Sequence, residues 1–137
     1  MYLLDTNIVS ELRRVRPHGA VLEWLKHVND DDLHLSAVTV GEIQAGIEIT
    51  RERDQAKAAE LEAWLEQLAQ SYNILSMDAR TFRAWARLMH RKPDHLIEDA
   101  TIAATAEVHN LTIVTRNVRD FDRFEVRTVN PFEPGSK

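Results

Sequence analysis

Five short apolar runs, most of them separated by long amphipathic stretches, constrain this chain more than any other feature. They are Tyr2 to Leu4, Leu33 to Leu35, Asn73 to Leu75, Thr112 to Val114 and Glu125 to Val129. Between them the apolar period changes to that of a helix. Val21, Trp24, Leu25 and Val28 recur at i, i+3, i+4 and i+7, the spacing of one buried helix face. A shorter helix from about Ile8 to Arg14 precedes it and is interrupted by Pro17. Asn29 to Asp32 end the second helix, and Ile43 and Ile47 extend a third that begins near Thr39. Leu61, Trp64, Leu65 and Leu68 mark a fourth over about residues 53 to 71. Phe82, Trp85, Ala86 and Met89 mark a fifth, stopping ahead of Pro93. The sixth, Leu96 to His109, carries Ile102, Ala103 and Ala106. Connections of this length are crossovers, so the sheet is expected to be mainly parallel and covered by helices on both faces. The closing NPFEPGSK reads as a surface tail.

With 137 residues, 44% of them hydrophobic, there is material for one well-buried core and no second domain, so residues 1–137 are read as a single domain. No apolar run approaches the roughly 18 residues that mark a membrane-crossing helix, and no leader pattern opens the chain, so a cytoplasmic protein is expected. Cysteine is absent, which excludes disulfides and thiolate metal sites. A net charge of −5 argues against a broad basic surface for nucleic acid.

Parallel α/β sheets place their working groups beyond the carboxyl ends of the strands. Four acids meet that condition. Asp5 follows the first strand, Glu42 lies in the first turn of the helix after the second, Asp99 begins the helix LIEDATIAATA, and Asp120 lies in TRNVRDF past the fourth strand. Each has a bland explanation. Asp5, Thr6 or Asn7 could cap a helix, Thr39 with Glu42 matches a T-x-x-E capping box, Asp99 suits a helix dipole, and Asn117 with Asp120 could turn the chain. Capping does not explain an acid at every strand exit. Clustered carboxylates repel, and a divalent cation relieves them. Oxygen donors with no cysteine, and six histidines that form no ligand pair, point to Mg²⁺ or Mn²⁺ held partly by water. Such sites act on phosphates, which suggests phosphodiester hydrolysis.

LLDTNIVSE at the start, TVGEIQAGI in the first third and EDATIAATAEVHNLTIVTRNVRDF near the end together resemble the PIN domain family, specifically its VapC/FitB-like toxins. The resemblance spans essentially the whole chain. It implies a three-layer α/β/α sandwich around a mainly parallel five-stranded sheet, and Mg²⁺- or Mn²⁺-dependent endoribonuclease activity. It also implies a homodimer and inhibition by a cognate antitoxin, to which any DNA binding would belong.

Carried over by position, the resemblance makes Asp5, Glu42 and Asp99 the metal-binding acids, with Asp120 a fourth whose place Asn117 contests. Thr6, Asn7, Thr115 and Asn117 match polar positions that orient the carboxylates or contact phosphate. Glu98 points about 100° from Asp99 on a helix, so only one of the pair is expected to face the ion. Either Asp120 or Glu42 could act as general base. Arg80, Arg83 and Arg87, in a stripe continued by Arg91, are candidates for RNA backbone contact. Arg116, Arg119 and Arg123, and Arg13, Arg14 and Arg16, are rival patches. Apolar surface around Ile43, Ile47 and Leu61 to Leu68 hints at an interface. Two other readings are a PIN-like RNA- or protein-binding module without catalysis, and a receiver-type phosphoacceptor. The second would want an acidic pair after the first strand, where this chain has Asp5 followed by Thr6.

Overall fold

The computed structural model describes residues 1–133. Its strands are β1 (Tyr2–Leu4), β2 (Leu33–Ser36), β3 (Asn73–Leu75), β4 (Thr112–Val114) and β5 (Thr128–Val129). The helices are α1 (Thr6–Leu12), α2 (Gly19–Lys26), α3 (Ala37–Arg51), α4 (Gln55–Ser71), α5 (Ala79–Met89) and α6 (Ile97–His109). The strands form one five-stranded sheet in the order β3-β2-β1-β4-β5, and every pairing is parallel. β1 is therefore central, and the chain steps to one side of it through β2 and β3 and to the other through β4 and β5. That reversal of strand order opens a crevice at the carboxyl end of β1.

Alternation along the strands builds the layers, because successive side chains leave opposite faces. Leu4 and Val114 point into a core with Ile8, Val9, Val21, Ile47, Leu65 and Leu68, from α1 to α4. Leu3 and Ile113, one residue earlier, point into the other core with Ala100, Ala103, Ala106, Phe121 and Phe124. This is the expected three-layer α/β/α sandwich. Small residues on α6 let it lie close to the sheet, and Ala100, Ala103 and Ala104 are wholly buried.

Several boundaries differ from those read in the sequence. α1 starts at Thr6 because Asp5 caps it, accepting from the Thr6 N–H. α3 starts at Ala37, and its cap is Ser36, whose hydroxyl accepts from the Val38 N–H. Thr39 is no cap. It lies inside the helix and is fully buried, which moves Glu42 from the first turn to the second. β5 is shorter than Glu125 to Val129, since the chain is still turning at Val126, whose N–H donates to Phe124 O at 2.8 Å. The buried residues of α5 are Thr81 and Ala84, with Trp85 and Leu88 packed on the core beside them. Phe82 is 52% exposed and Ala86 is also exposed, so two residues assigned to the inner face lie outside it.

The segment after β5 is not a free tail within the described residues. Pro131 is buried and Phe132 packs against the first core; Pro134 to Lys137 lie outside the described residues. Ile47, Leu65 and Leu68 are core residues. Ile43, Leu61 and Trp64 border a cavity of about 270 Å³ that also reaches Thr6 and Glu42. No helix among the described residues is long and apolar enough to cross a membrane.

Candidate active site

Asp5 sits at the mouth of the crevice. Its backbone N–H donates to Val114 O at 2.9 Å, which ties the end of β1 to β4 and holds the side chain over the sheet edge. One carboxylate oxygen accepts from the Thr6 N–H at 2.8 Å. The other accepts from the Thr115 hydroxyl at 2.8 Å and the Asn7 amide at 3.2 Å. Asp5 therefore caps α1 with one oxygen while the other is held by Thr115 and Asn7, so capping does not remove it from the candidate site.

Thr115 and Asn7 brace each other as well. The Asn7 amide also reaches Thr115 Oγ1 at 3.3 Å, and its carbonyl oxygen accepts from the Arg116 N–H at 3.2 Å. The Asn117 N–H donates to Thr115 Oγ1 at 3.0 Å. Thr115 is wholly buried, and its hydroxyl joins Asp5, Asn7 and the Asn117 N–H at one point. The Asn117 side chain makes no capping bond, and the residue is exposed. Thr6 turns toward α3. Its hydroxyl lies 3.2 Å from Thr39 Oγ1 and 3.4 Å from Glu42 Oε1, and its proton serves one of the two.

Burial pushes the Asp5 carboxyl above the usual range, opposed by the Thr115 and Thr6 hydrogen bonds, with repulsion from Asp120 adding to the rise. Burial and then the neighbouring charges of Glu98 and Asp5 push Glu42 up to about 7. Burial, followed by repulsion from Asp120, Asp5 and Glu98, pushes Asp99 up to about 6, and His95 opposes the shift. Asp5, Glu42, Asp99 and Asp120, from four separate segments, therefore feel one another across one rim. Asp120 is exposed, in the 3₁₀ turn Val118–Phe121.

Glu98 is the residue that sequence reasoning set aside. Its carboxyl lies within hydrogen-bond reach of Glu42 and repels both Glu42 and Asp99. The helical offset of about 100° separates the Cα–Cβ directions of Glu98 and Asp99, and Glu98 acts on Glu42 as well as on Asp99. The adjacent Glu98-Asp99 pair at a helix start was the available signal. Thr39 and His95 were also missed as neighbours of the site, since neither has a local pattern that reports a contact across the fold.

Among the described residues no group of three acids or histidines is arranged to hold a metal ion. The donors nonetheless suit a hard cation. They are carboxylates held by hydroxyl and amide groups, mutually repelling, with His95 the one basic side chain among the principal groups acting on them. Mg²⁺ sites characteristically use one or two carboxylates and complete their octahedron with water. Arg80, Arg83 and Arg87 are exposed on α5 and none of them figures among those charges.

A model of the PIN domain matches residues 2–126. The chain is 34% identical to plasmid stability protein StbB of Pseudomonas syringae pv. tomato, over 97% of this chain and 99% of that protein. It is 32% identical to VapC ribonuclease Y4jK of Sinorhizobium fredii, over 98% of this chain and 99% of that one. The crystal structure of FitAcB from Neisseria gonorrhoeae matches with a TM-score of 0.86 and 33% identity, covering 97% of this chain and 99% of that chain. The receiver-type alternative is set aside by this match. The chain belongs to the PIN domain family, and its relatives there include toxins and ribonucleases of the FitB and VapC kind.

Proposed function

We propose that this protein is a divalent-metal-dependent endoribonuclease, the toxin of a toxin-antitoxin pair. The observation that carries the reading is the gathering of Asp5, Glu42, Asp99 and Asp120 on one rim, where Asp120 raises the proton affinity of Asp5 and Asp99, and Asp5 raises that of Glu42 and Asp99. Asp5 and Asp99 would hold Mg²⁺ or Mn²⁺, with Glu42 and Asp120 reaching it through water. When bound, the ion supplies Lewis-acid polarisation of the phosphoryl oxygen and offsets the negative charge of the acids. Thr115, Asn7 and the Thr6 N–H fix the Asp5 carboxylate. The Thr6 hydroxyl lies 3.4 Å from Glu42 Oε1 and orients it; to Glu42, a carboxylate reaching the ion only through water, we assign the proton of the attacking water. Hydrolysis by direct water attack leaves a 5′-phosphate.

A cognate antitoxin is the proposed protein partner. FitAB was solved bound to a DNA fragment, and any DNA contact here is assigned to the antitoxin. A homodimer acting in the cytoplasm completes the reading; light scattering on the purified chain tests the dimer. Incubating single-stranded and structured RNA with the protein in Mg²⁺ or Mn²⁺, against EDTA, tests the chemistry. Asp5→Asn and Asp99→Asn should each lower turnover by at least about 100-fold. Cleavage that survives chelation, or both substitutions, would sink the mechanism. Absence of Mn²⁺ affinity in a folded protein would favour the non-catalytic module.

A further inference from the structure

On the β4 side of the acids the surface forms a trough. One part, of about 390 Å³, is lined by His95, Leu96, Asp99, Arg119, Asp120 and Arg123. The next, of about 310 Å³, is lined by residues 116–120 with Asn130 and Glu133. The two adjoin at Arg119 and Asp120, which line both, and the first reaches Asp99. Arg116, Arg119 and Arg123 stand along the trough at exposed positions, and none makes an ion pair among the described residues. Their guanidinium forks, left unpaired although carboxylates line the same walls, remain open to the oxygens of a ligand.

Arg116 is also held in place. Its guanidinium lies 4.6 Å from the centroid of the Phe132 ring, and that ring meets His18 edge-on at 5.0 Å. The Asn130 amide donates to Arg116 O at 3.4 Å, while Asn130 Oδ1 accepts from the Phe132 N–H at 3.0 Å. A cation–π contact at an exposed site restricts a long side chain without consuming its hydrogen-bond donors. Arginine is the residue best suited to phosphate oxygens in that setting.

We infer that this trough holds the phosphodiester backbone of the RNA strand flanking the cut, with Arg116, Arg119 and Arg123 as phosphate-positioning residues and Phe132 steadying Arg116. The inference rests on the ribonuclease reading above, and it displaces the α5 stripe, whose Arg80, Arg83 and Arg87 line neither part of the trough. An RNA strand is favoured over an acidic peptide because the trough continues to the acids assigned to phosphodiester chemistry.

Anisotropy of a labelled single-stranded RNA, measured in an Asp5→Asn background with Mg²⁺ across a salt series, tests this without relying on turnover. Arg119→Gln and Arg123→Gln should each weaken binding about fivefold and lower the salt slope by about 0.7. Arg119→Lys should keep the slope. Phe132→Leu and Arg116→Gln should weaken binding alike, and the double variant should add nothing further, the signature of two residues acting as one. Arg83→Gln combined with Arg87→Gln should leave affinity within about twofold. In the protein with Asp5 intact, the Arg119 and Arg123 variants should raise KM and leave kcat nearly unchanged. Unaltered affinity and slope in the Arg119 and Arg123 variants would overturn the inference. So would loss of antitoxin binding alone, or a salt slope carried by α5. Weakened RNA binding in a protein that cleaves nothing would support the trough while the ribonuclease reading fell; cleavage with an indifferent trough would do the reverse.

Discussion

Asp5 shows how much one side chain can be asked to do. It ends a strand, caps a helix and anchors the acidic rim, and its orientation depends on a buried hydroxyl contributed 110 residues away. Thr115→Val keeps the shape and removes that donor. It should lower RNA-cleaving turnover by about 10- to 100-fold with the fold retained, as read by kinetics beside circular dichroism. Glu42 supplies a pH prediction. Its carboxyl is raised to about 7 and that of Asp99 to about 6, so the folded, metal-free protein binds protons more tightly at both than the unfolded chain does. Their contribution to stability is therefore complete below the unfolded-state values and is lost as pH rises through about 6 to 7. In EDTA, Tm should fall between about pH 5 and about pH 8, and Glu42→Gln should flatten the fall. A flat profile in the parent protein would contradict the repulsion described.

At the scale of elements, caps and register decide where each acid lands. Asp5, Ser36, Asp54 and Asp78 cap α1, α3, α4 and α5 with their side chains. α6 lacks a side-chain cap and is entered from the 3₁₀ turn Asp94–Leu96, which leaves Glu98 and Asp99 in its first turn to interact with the other acids. At the far end of α6, Asn110 adopts the left-handed conformation with φ 55. The Arg127 guanidinium donates to its side-chain oxygen at 2.8 Å, tying α6 to the segment before β5. Asn110→Ala should destabilise the protein by about 1 to 2 kcal/mol, since alanine is strained there, with little change in kcat. Asn110→Gly removes the strain and should cost less in the same denaturant titration, the difference reporting the backbone alone. Outside the core, Arg51 bridges Glu48 on its own helix and Glu62 on α4 at 3.0 and 2.8 Å. These exposed pairs orient the α3–α4 hairpin more than they stabilise it.

For the whole molecule, the charge gathered at the rim is the main liability, and a bound cation should remove it. Mg²⁺ or Mn²⁺ added to the chelated protein near neutral pH should raise Tm in proportion to occupancy, and Asp5→Asn with Asp99→Asn should abolish the rise. Thermal scans at increasing metal concentration check this without any RNA. The sheet, its parallel sense, all six helices and the strand-exit acids were legible in the amino-acid sequence, because period-2 and period-3.6 patterning is a local property of the chain. Short-range signals failed where a contact across the fold decided the outcome. Ser36 displaced the T-x-x-E box as the cap because Thr39 is buried against Thr6. Phe82 lies outward because the buried face of α5 is the one carrying Thr81, Ala84 and Trp85. Glu98 joined the rim because α3 brings Glu42 to it. The sequence by itself determined the elements and which acids could leave strand ends. Only the tertiary structure decided which of them repel one another, how Thr115 holds Asp5 and where the unpaired arginines lie, since Coulomb energy depends on distances through space and not on separation along the chain.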